Sequence, residues 1–191
     1  GTPLGEYVEG KIYYGIKTGL NEAFVIDAAT RARLLAEDPK SAEIIKPFLA
    51  GRDIKRYQTP VSDKFLILFE KGVTNQKRGG LEAKIWLKNT YPAVYDWLKP
   101  FEEKAIKRGD KGEYWWELRA CDYYGAFENP KISLPDIAIQ MQAIYDKSSA
   151  FCVNTAYIIP VDDVFLLALL NSSLTLFFYS NITSSIRGGY L

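Results

Sequence analysis

The sequence predicts an α+β fold: a mixed α/β arrangement with a partly antiparallel sheet and flanking helices. Three observations lead there. Short runs rich in Ile, Val, Tyr and Phe recur along the chain, amphipathic helical repeats fall between them, and turn residues mark the boundaries. With 191 residues, 48% of them hydrophobic and 14% aromatic, the chain has enough apolar surface for a core, and its length fits one domain or one with a small lobe.

Lys11 to Thr18 and Glu22 to Asp27 read as strands, the second centred on Ala23-Phe24-Val25-Ile26. Between them, Lys17-Thr18-Gly19-Leu20-Asn21 has the Gly and Asn of a tight connection. Asp27 is placed to cap a helix over Ala28 to Ala36. Asp38-Pro39 reads as a cap followed by a first-turn proline, opening a helix expected to run through Ile44, Ile45, Phe48 and Leu49 until Gly51 stops it. Arg52 to Tyr57 and Lys64 to Phe69 read as strands, and Lys71 to Gly80 as a polar loop. Leu81 to Lys88 and Ala93 to Lys107 are expected helices. In the second, Val94, Leu98, Phe101 and Ala105 recur at helical spacing and Pro100 predicts a kink or break.

Gly109 to Gly112 reads as a charged turn. Lys131 to Leu134, Ala138 to Met141, Ala150 to Val153 and Ala156 to Ile159 then read as strands. Asp162 or Asp163 is placed to cap a helix through Leu170, and Leu174 to Ile182 reads as a second apolar helix. The apolar stretch Val164 to Tyr179 is interrupted by Asn171, Ser172, Ser173 and Thr175, and is shorter than the ~20 residues of a membrane span. The start of the chain lacks the basic and apolar regions of a signal peptide, so a cytoplasmic protein is expected. The sequons at Asn171 and Asn181 lie in or beside this core-like stretch and read as chance.

Composition removes several chemistries. The chain has no histidine, which excludes a Ser-His-Asp triad and His-based metal sites, and Cys121 and Cys152 match no metal-ligand spacing and form no disulfide framework. The formal net charge is +1, from 24 basic and 23 acidic residues, less basic than a free-standing nucleic-acid binder usually is. Locally, Lys71 to Arg119 carries eleven Lys/Arg against seven Asp/Glu, an excess that would form a patch if the fold gathers it on one face.

Gly15-Ile16-Lys17-Thr18-Gly19 lacks the spacing of a phosphate-cradling P-loop, and a strand rather than a helix is expected after it. It reads either as a plain strand–turn–strand or as a turn projecting Lys17, Thr18 and Asn21 towards a phosphate backbone. No dinucleotide fingerprint occurs. Asn129-Pro130-Lys131-Ile132 lacks the second Pro and the aromatic of an amino-methyltransferase motif. In Tyr114-Trp115-Trp116-Glu117-Leu118-Arg119, adjacent tryptophans cannot both be buried on one face of a regular element. The string reads either as a core plug, with Arg119 paired to Glu117 or another acid, or as a presentation of Arg119 to phosphate or a guanine edge. Arg52, Lys55 and Arg56 straddle a short expected strand, and Lys77-Arg78-Gly79-Gly80 ends the polar loop. Ser184 to Tyr190 places paired glycines beside Arg187, which permits close approach to a ligand or another strand.

Taken in order, five strings resemble a known family. They are Tyr14-Gly15-Ile16-Lys17-Thr18-Gly19-Leu20-Asn21-Glu22-Ala23-Phe24-Val25-Ile26; Lys46-Pro47-Phe48-Leu49-Ala50-Gly51-Arg52-Asp53-Ile54-Lys55-Arg56-Tyr57; Trp115-Trp116-Glu117-Leu118-Arg119; Lys131-Ile132-Ser133-Leu134-Pro135; and Leu169 to Leu174 continuing through Ile186-Arg187-Gly188-Gly189-Tyr190-Leu191. The set resembles the TaqI-like C-terminal specificity domain of type IIG restriction enzymes and related adenine-specific DNA methyltransferases of restriction–modification systems.

The resemblance implies a target-recognition-domain-like fold over residues 1–191, an excised C-terminal fragment of a longer methyltransferase. It implies sequence-specific recognition of double-stranded DNA that positions the target adenine for a catalytic domain absent from this chain. That N-terminal methyltransferase domain would be the second partner and would hold S-adenosylmethionine; the fragment itself would carry no cofactor and no catalytic residue. The parent would be a site-specific adenine DNA methyltransferase, with or without an endonuclease domain. Base readers vary with the target in this family, so the candidate DNA-binding residues rest on turns, matched strings and charge: Lys17, Thr18, Asn21, Arg52, Arg56, Lys77, Arg78, Arg119, Arg187 and Gly188. The competing reading is a protein-interaction module that docks another subunit without touching DNA. A small-molecule enzyme would need converging acids such as Asp122 and Glu128.

Overall fold

The computed structural model describes residues 1–138 and 140–182. Its elements run α1 (Leu4–Tyr7), β1 (Tyr13–Tyr14), α2 (Asn21–Phe24), β2 (Val25–Asp27), α3 (Ala28–Glu37), β3 (Ile45–Leu49), β4 (Lys64–Ile67), α4 (Val73–Lys77) and α5 (Ala83–Thr90). They continue with α6 (Pro92–Leu98), α7 (Glu102–Lys107), β5 (Lys131–Pro135), β6 (Ile144–Asp146), β7 (Phe151–Cys152), β8 (Ala156–Ile159), α8 (Val164–Leu170) and α9 (Ser173–Ile182). The fold is α+β, as the sequence predicts. The chain divides into two compact units, each built from separate stretches: residues 1–16, 49–62 and 125–191 form the first, and residues 17–48 and 63–124 the second.

In the first unit the strand order is β1-β8-β5-β6, antiparallel throughout. Lys131, Ile132 and Ser133 are all buried, so β5 is covered on both faces and loses the alternation of a half-exposed strand. Val8, Ile132, Ala143, Ile159, Leu166 and Leu170 make its apolar core. Asn171 joins α8 to this core: its amide accepts from the Ala143 N–H and donates to the Ala143 carbonyl, both at 2.8 Å. The sequon asparagine is therefore a buried clamp. Opposite Lys131 in the ladder stands Asp146; the two charges are 3.0 Å apart and each side chain is only 1% exposed. Lys131 Nζ also donates to the carbonyls of Phe127 (2.8 Å) and Ser148 (2.9 Å).

Gly15 lies so close to the β7 end that an added Cβ would stand 2.1 Å from the Val153 carbonyl oxygen. The neighbour is backbone, so it cannot swing aside as a side chain could. Gly15→Ala is therefore expected to destabilise the chain by about 1–3 kcal/mol, read as a fall in the urea midpoint at unchanged slope.

In the second unit β4 is central, paired antiparallel with β2 (Val25 opposite Leu66) and with β3 (Ile45 opposite Ile67). Leu34, Leu66, Ile67, Leu87, Val94 and Leu98 are fully buried there, and Tyr91 meets Phe69 and Trp86 edge-on. Asp27 caps α3 by accepting from the Thr30 N–H at 2.8 Å, and Asp38 accepts from the Lys40 N–H. Asp163 in the first unit caps α8 in the same way. Lys99–Phe101 forms a 3₁₀ turn between α6 and α7, so the helix breaks at Pro100 as its sequence predicts.

Several local expectations are corrected. Asn21–Phe24 is one helical turn, and β2 begins only at Val25. The helix opened by Asp38-Pro39 is a 3₁₀ turn ending at Glu43, and Ile45–Leu49 is a strand. Gly51–Asp53 is a 3₁₀ turn rather than part of a strand, and α4 occupies the expected polar loop. The strand expected over Ala138 to Met141 is absent from its described residues; β6 follows it instead.

Candidate nucleic-acid interface

The second unit organises its candidate residues around one segment, 108–119. Arg108 is 7% exposed and points inward. Its guanidinium donates to the carbonyls of Thr18, Asp110 (2.9 Å), Trp115 (2.9 Å) and Glu117, and lies 4.2 Å from the centroid of the Phe24 ring. Burial pushes it down to about 10, so it stays protonated at neutral pH. A planar fork suits this position, because the acceptors lie both in the first turn, at Thr18, and along residues 110–117.

Glu117 is fully buried and accepts from the backbone N–H groups of Gly72 (3.0 Å), Thr74 (3.1 Å), Glu113 (2.9 Å) and Tyr114 (3.4 Å). Trp116 is buried, donates from Nε1 to Thr74 Oγ1 at 3.0 Å, and stacks on Tyr114; Trp115 is half-buried. The Trp-Trp string is thus an irregular plug that fixes both the first turn, through Arg108, and α4, through Glu117 and Trp116.

That frame positions the cations. Lys17 Nζ lies 3.7 Å from Asp110 Oδ2, and Arg119 Nη1 lies 3.5 Å from Asp110 Oδ1. Thr18 is buried, which corrects the expectation that it projects outward: its hydroxyl donates to Asn21 Oδ1 at 2.6 Å and accepts from the Leu20 N–H at 3.1 Å. Asn21 is exposed. Gly19 between them has φ +69°, and a Cβ there would stand 3.0 Å from Asp110 Cβ, so the two turns are in close contact. Lys17 and Arg119 therefore come together at Asp110, and Asn21 is tied to the same turn through Thr18. The acid paired with Arg119 is Asp110, while Glu117 is held by backbone.

Lys77 is exposed at the end of α4. Arg78 donates to Asn75 Oδ1 (2.8 Å) and to the Leu81 carbonyl (2.7 Å), and Tyr114 donates to the same Asn75 oxygen. In the first unit, Arg52 is 80% exposed beside Asp53, and Arg56 lies 5.5 Å from the ring of Tyr57, an exposed residue with φ +65°. Arg187 and Gly188 lie outside the described residues.

Several cations of the Lys71 to Arg119 stretch are already matched or internal. Lys84 and Lys99 pair with Glu102, Lys104 pairs with Glu22, Arg108 is internal, and Arg119 pairs with Asp110. Sequence reasoning missed Arg108 and offered Glu117 only as a partner of Arg119, a place that Asp110 takes. The charged turn at Gly109–Gly112 was the one pointer to Asp110.

Among the described residues, no group of three or more His, Cys, Asp or Glu could hold a metal ion. Burial raises both thiols, Cys152 to about 12. Asp122 and Glu128 are each exposed. Two cavities of about 340 and 350 Å³ in the first unit are lined mainly by apolar side chains, among them Leu134 and Ile159, and Leu166 and Phe178. No single helix among the described residues is long and apolar enough to cross a membrane; α8 and the Ser173–Asn181 part of α9 pass that test only as a pair bent by 52°.

Residues 46–191 match the family model of the TaqI-like C-terminal specificity domain, and the chain belongs to that family. It also shares its fold with the type IIL restriction-modification enzyme MmeI, whose structure was determined in complex with DNA. The likeness has a TM-score of 0.63 at 14% sequence identity, covers 92% of this chain and spans 22% of that enzyme's chain. No curated protein matches the chain significantly.

Proposed function

We propose that this chain is the DNA target-recognition part of a restriction–modification adenine methyltransferase acting in the cytoplasm. Membership of the specificity-domain family carries this reading; the shared fold with a restriction-modification enzyme supports it. Lys17, Asn21 and Arg119 contact the phosphate backbone, with Thr18 holding Asn21 in place. Arg52, Arg56, Lys77 and Arg78 supply further phosphate or base-edge contacts, and Arg187 with Gly188 is a candidate on sequence grounds. Backbone contacts set register, and base-edge contacts in the groove choose the site. The rest of a longer polypeptide holds S-adenosylmethionine, flips the adenine and methylates it.

The test is selection of duplexes from a randomised library by this chain over a salt series. The expected result is an enriched sequence whose affinity falls steeply with salt. Lys17→Ala and Arg119→Ala should each weaken binding to all duplexes, and the double variant should flatten the log–log salt slope by about one. No binding down to low salt would overturn the reading. It would favour a protein-docking module, which one observation supports: Phe165, Phe177 and Phe178 are all more than half exposed.

A further inference from the structure

We propose that Lys17 and Arg119 form a site for one backbone phosphate of duplex DNA, and that Asp110 is its built-in competitor. The inference rests on the DNA-binding reading and adds a ligand group and a control element to it. One carboxylate uses both oxygens on two cations from different stretches of chain, at 3.5 and 3.7 Å. These separations are longer than good charge-assisted hydrogen bonds, so the pairing is loose. The Lys17 and Arg119 side chains are 58% and 53% exposed, against 25% for Asp110.

The carboxylate is also the member of the trio on the shortest side chain, with its backbone held. Its own carbonyl is held by Arg108 at 2.9 Å, and its Cβ is in close contact with the turn at Gly19. Lys17 and Arg119 reach it on long flexible arms. A phosphodiester carries the same single charge and two non-bridging oxygens, so it can replace the carboxylate on both cations by a swing of those arms. Surface pairs of this kind are weak, so the exchange is cheap, yet DNA must still compete for cations that are already matched. Asp110 thereby lowers affinity for any duplex that offers only phosphates. Such a device fits a chain whose net charge is only +1.

The experiment compares the chain with Asp110→Asn, Asp110→Ser, Lys17→Ala/Arg119→Ala and the triple variant, on a short duplex of arbitrary sequence. Thermal melts confirm that each variant folds. Both Asp110 variants should bind roughly 3- to 5-fold more tightly at low salt, about the worth of one surface pair. Their salt slope should be steeper by about one, because the wild type must take up a solution cation on the released carboxylate. The gain should vanish in the triple variant.

Weaker binding by the Asp110 variants would mean that the carboxylate positions the cations rather than competing with phosphate. An unchanged affinity in every variant would remove the site. Either result overturns this proposal while duplex binding by the wild type leaves the DNA reading standing. Absence of duplex binding by all forms overturns both.

Discussion

Arg108→Ala is expected to cost at least about 3 kcal/mol, because it removes the donors of four carbonyls in a buried setting. Loss of the guanidinium over Phe24 adds roughly 1 kcal/mol. Arg108→Lys should recover only part of this, since a single ammonium cannot reach acceptors spread around a planar fork. Urea unfolding gives the total. Hydrogen exchange gives the location: amides of residues 17–21 and 110–118 should lose protection first. If Arg108→Lys matched the wild type, the fork geometry would be irrelevant and the hub assignment wrong.

The second large effect lies in the first unit. Lys131→Met or Asp146→Leu alone should each destabilise by about 3–5 kcal/mol, because each leaves a buried, unmatched charge. The double variant Lys131→Met/Asp146→Leu should be more stable than either single one, since an apolar pair of similar size removes both desolvation penalties. A double-mutant cycle on urea midpoints measures the coupling. Strictly additive losses would show that the two side chains do not act as a pair, despite their 3.0 Å separation across the ladder.

Both residues show where the sequence ceases to be legible. A lysine or arginine in a short polar context reads as solvated, because these types are almost never fully buried unless paired. Their partners here are mostly backbone carbonyls, which leave no mark in the sequence. Cap chemistry is local, so Asp27, Asp38 and Asp163 were readable, and so was the break at Pro100. Ile45–Leu49 was misread as helix because a short buried apolar run carries no period that separates helix from strand. The first turn was readable as a cation-bearing connection. Its inward-facing Thr18 and its tie to Asp110 were not, since that acid lies far along the chain and only the fold brings it near. The ordered family strings led to the right family where charge counting argued against it.

The path of the chain has a consequence for anyone building hybrid specificities. Between residues 16 and 125 the backbone passes from one unit to the other four times, at 16/17, 48/49, 62/63 and 124/125. No single cut isolates either unit, and a one-junction chimera would join half of each core to a foreign half. Transplantation should therefore exchange the whole recognition segment, or graft individual side chains onto an intact host. Because each unit closes only after distant stretches meet, it must form long loops before its core is complete. Refolding should be slow for a chain of this length, and truncated or nicked forms should fail to assemble rather than survive as smaller working modules.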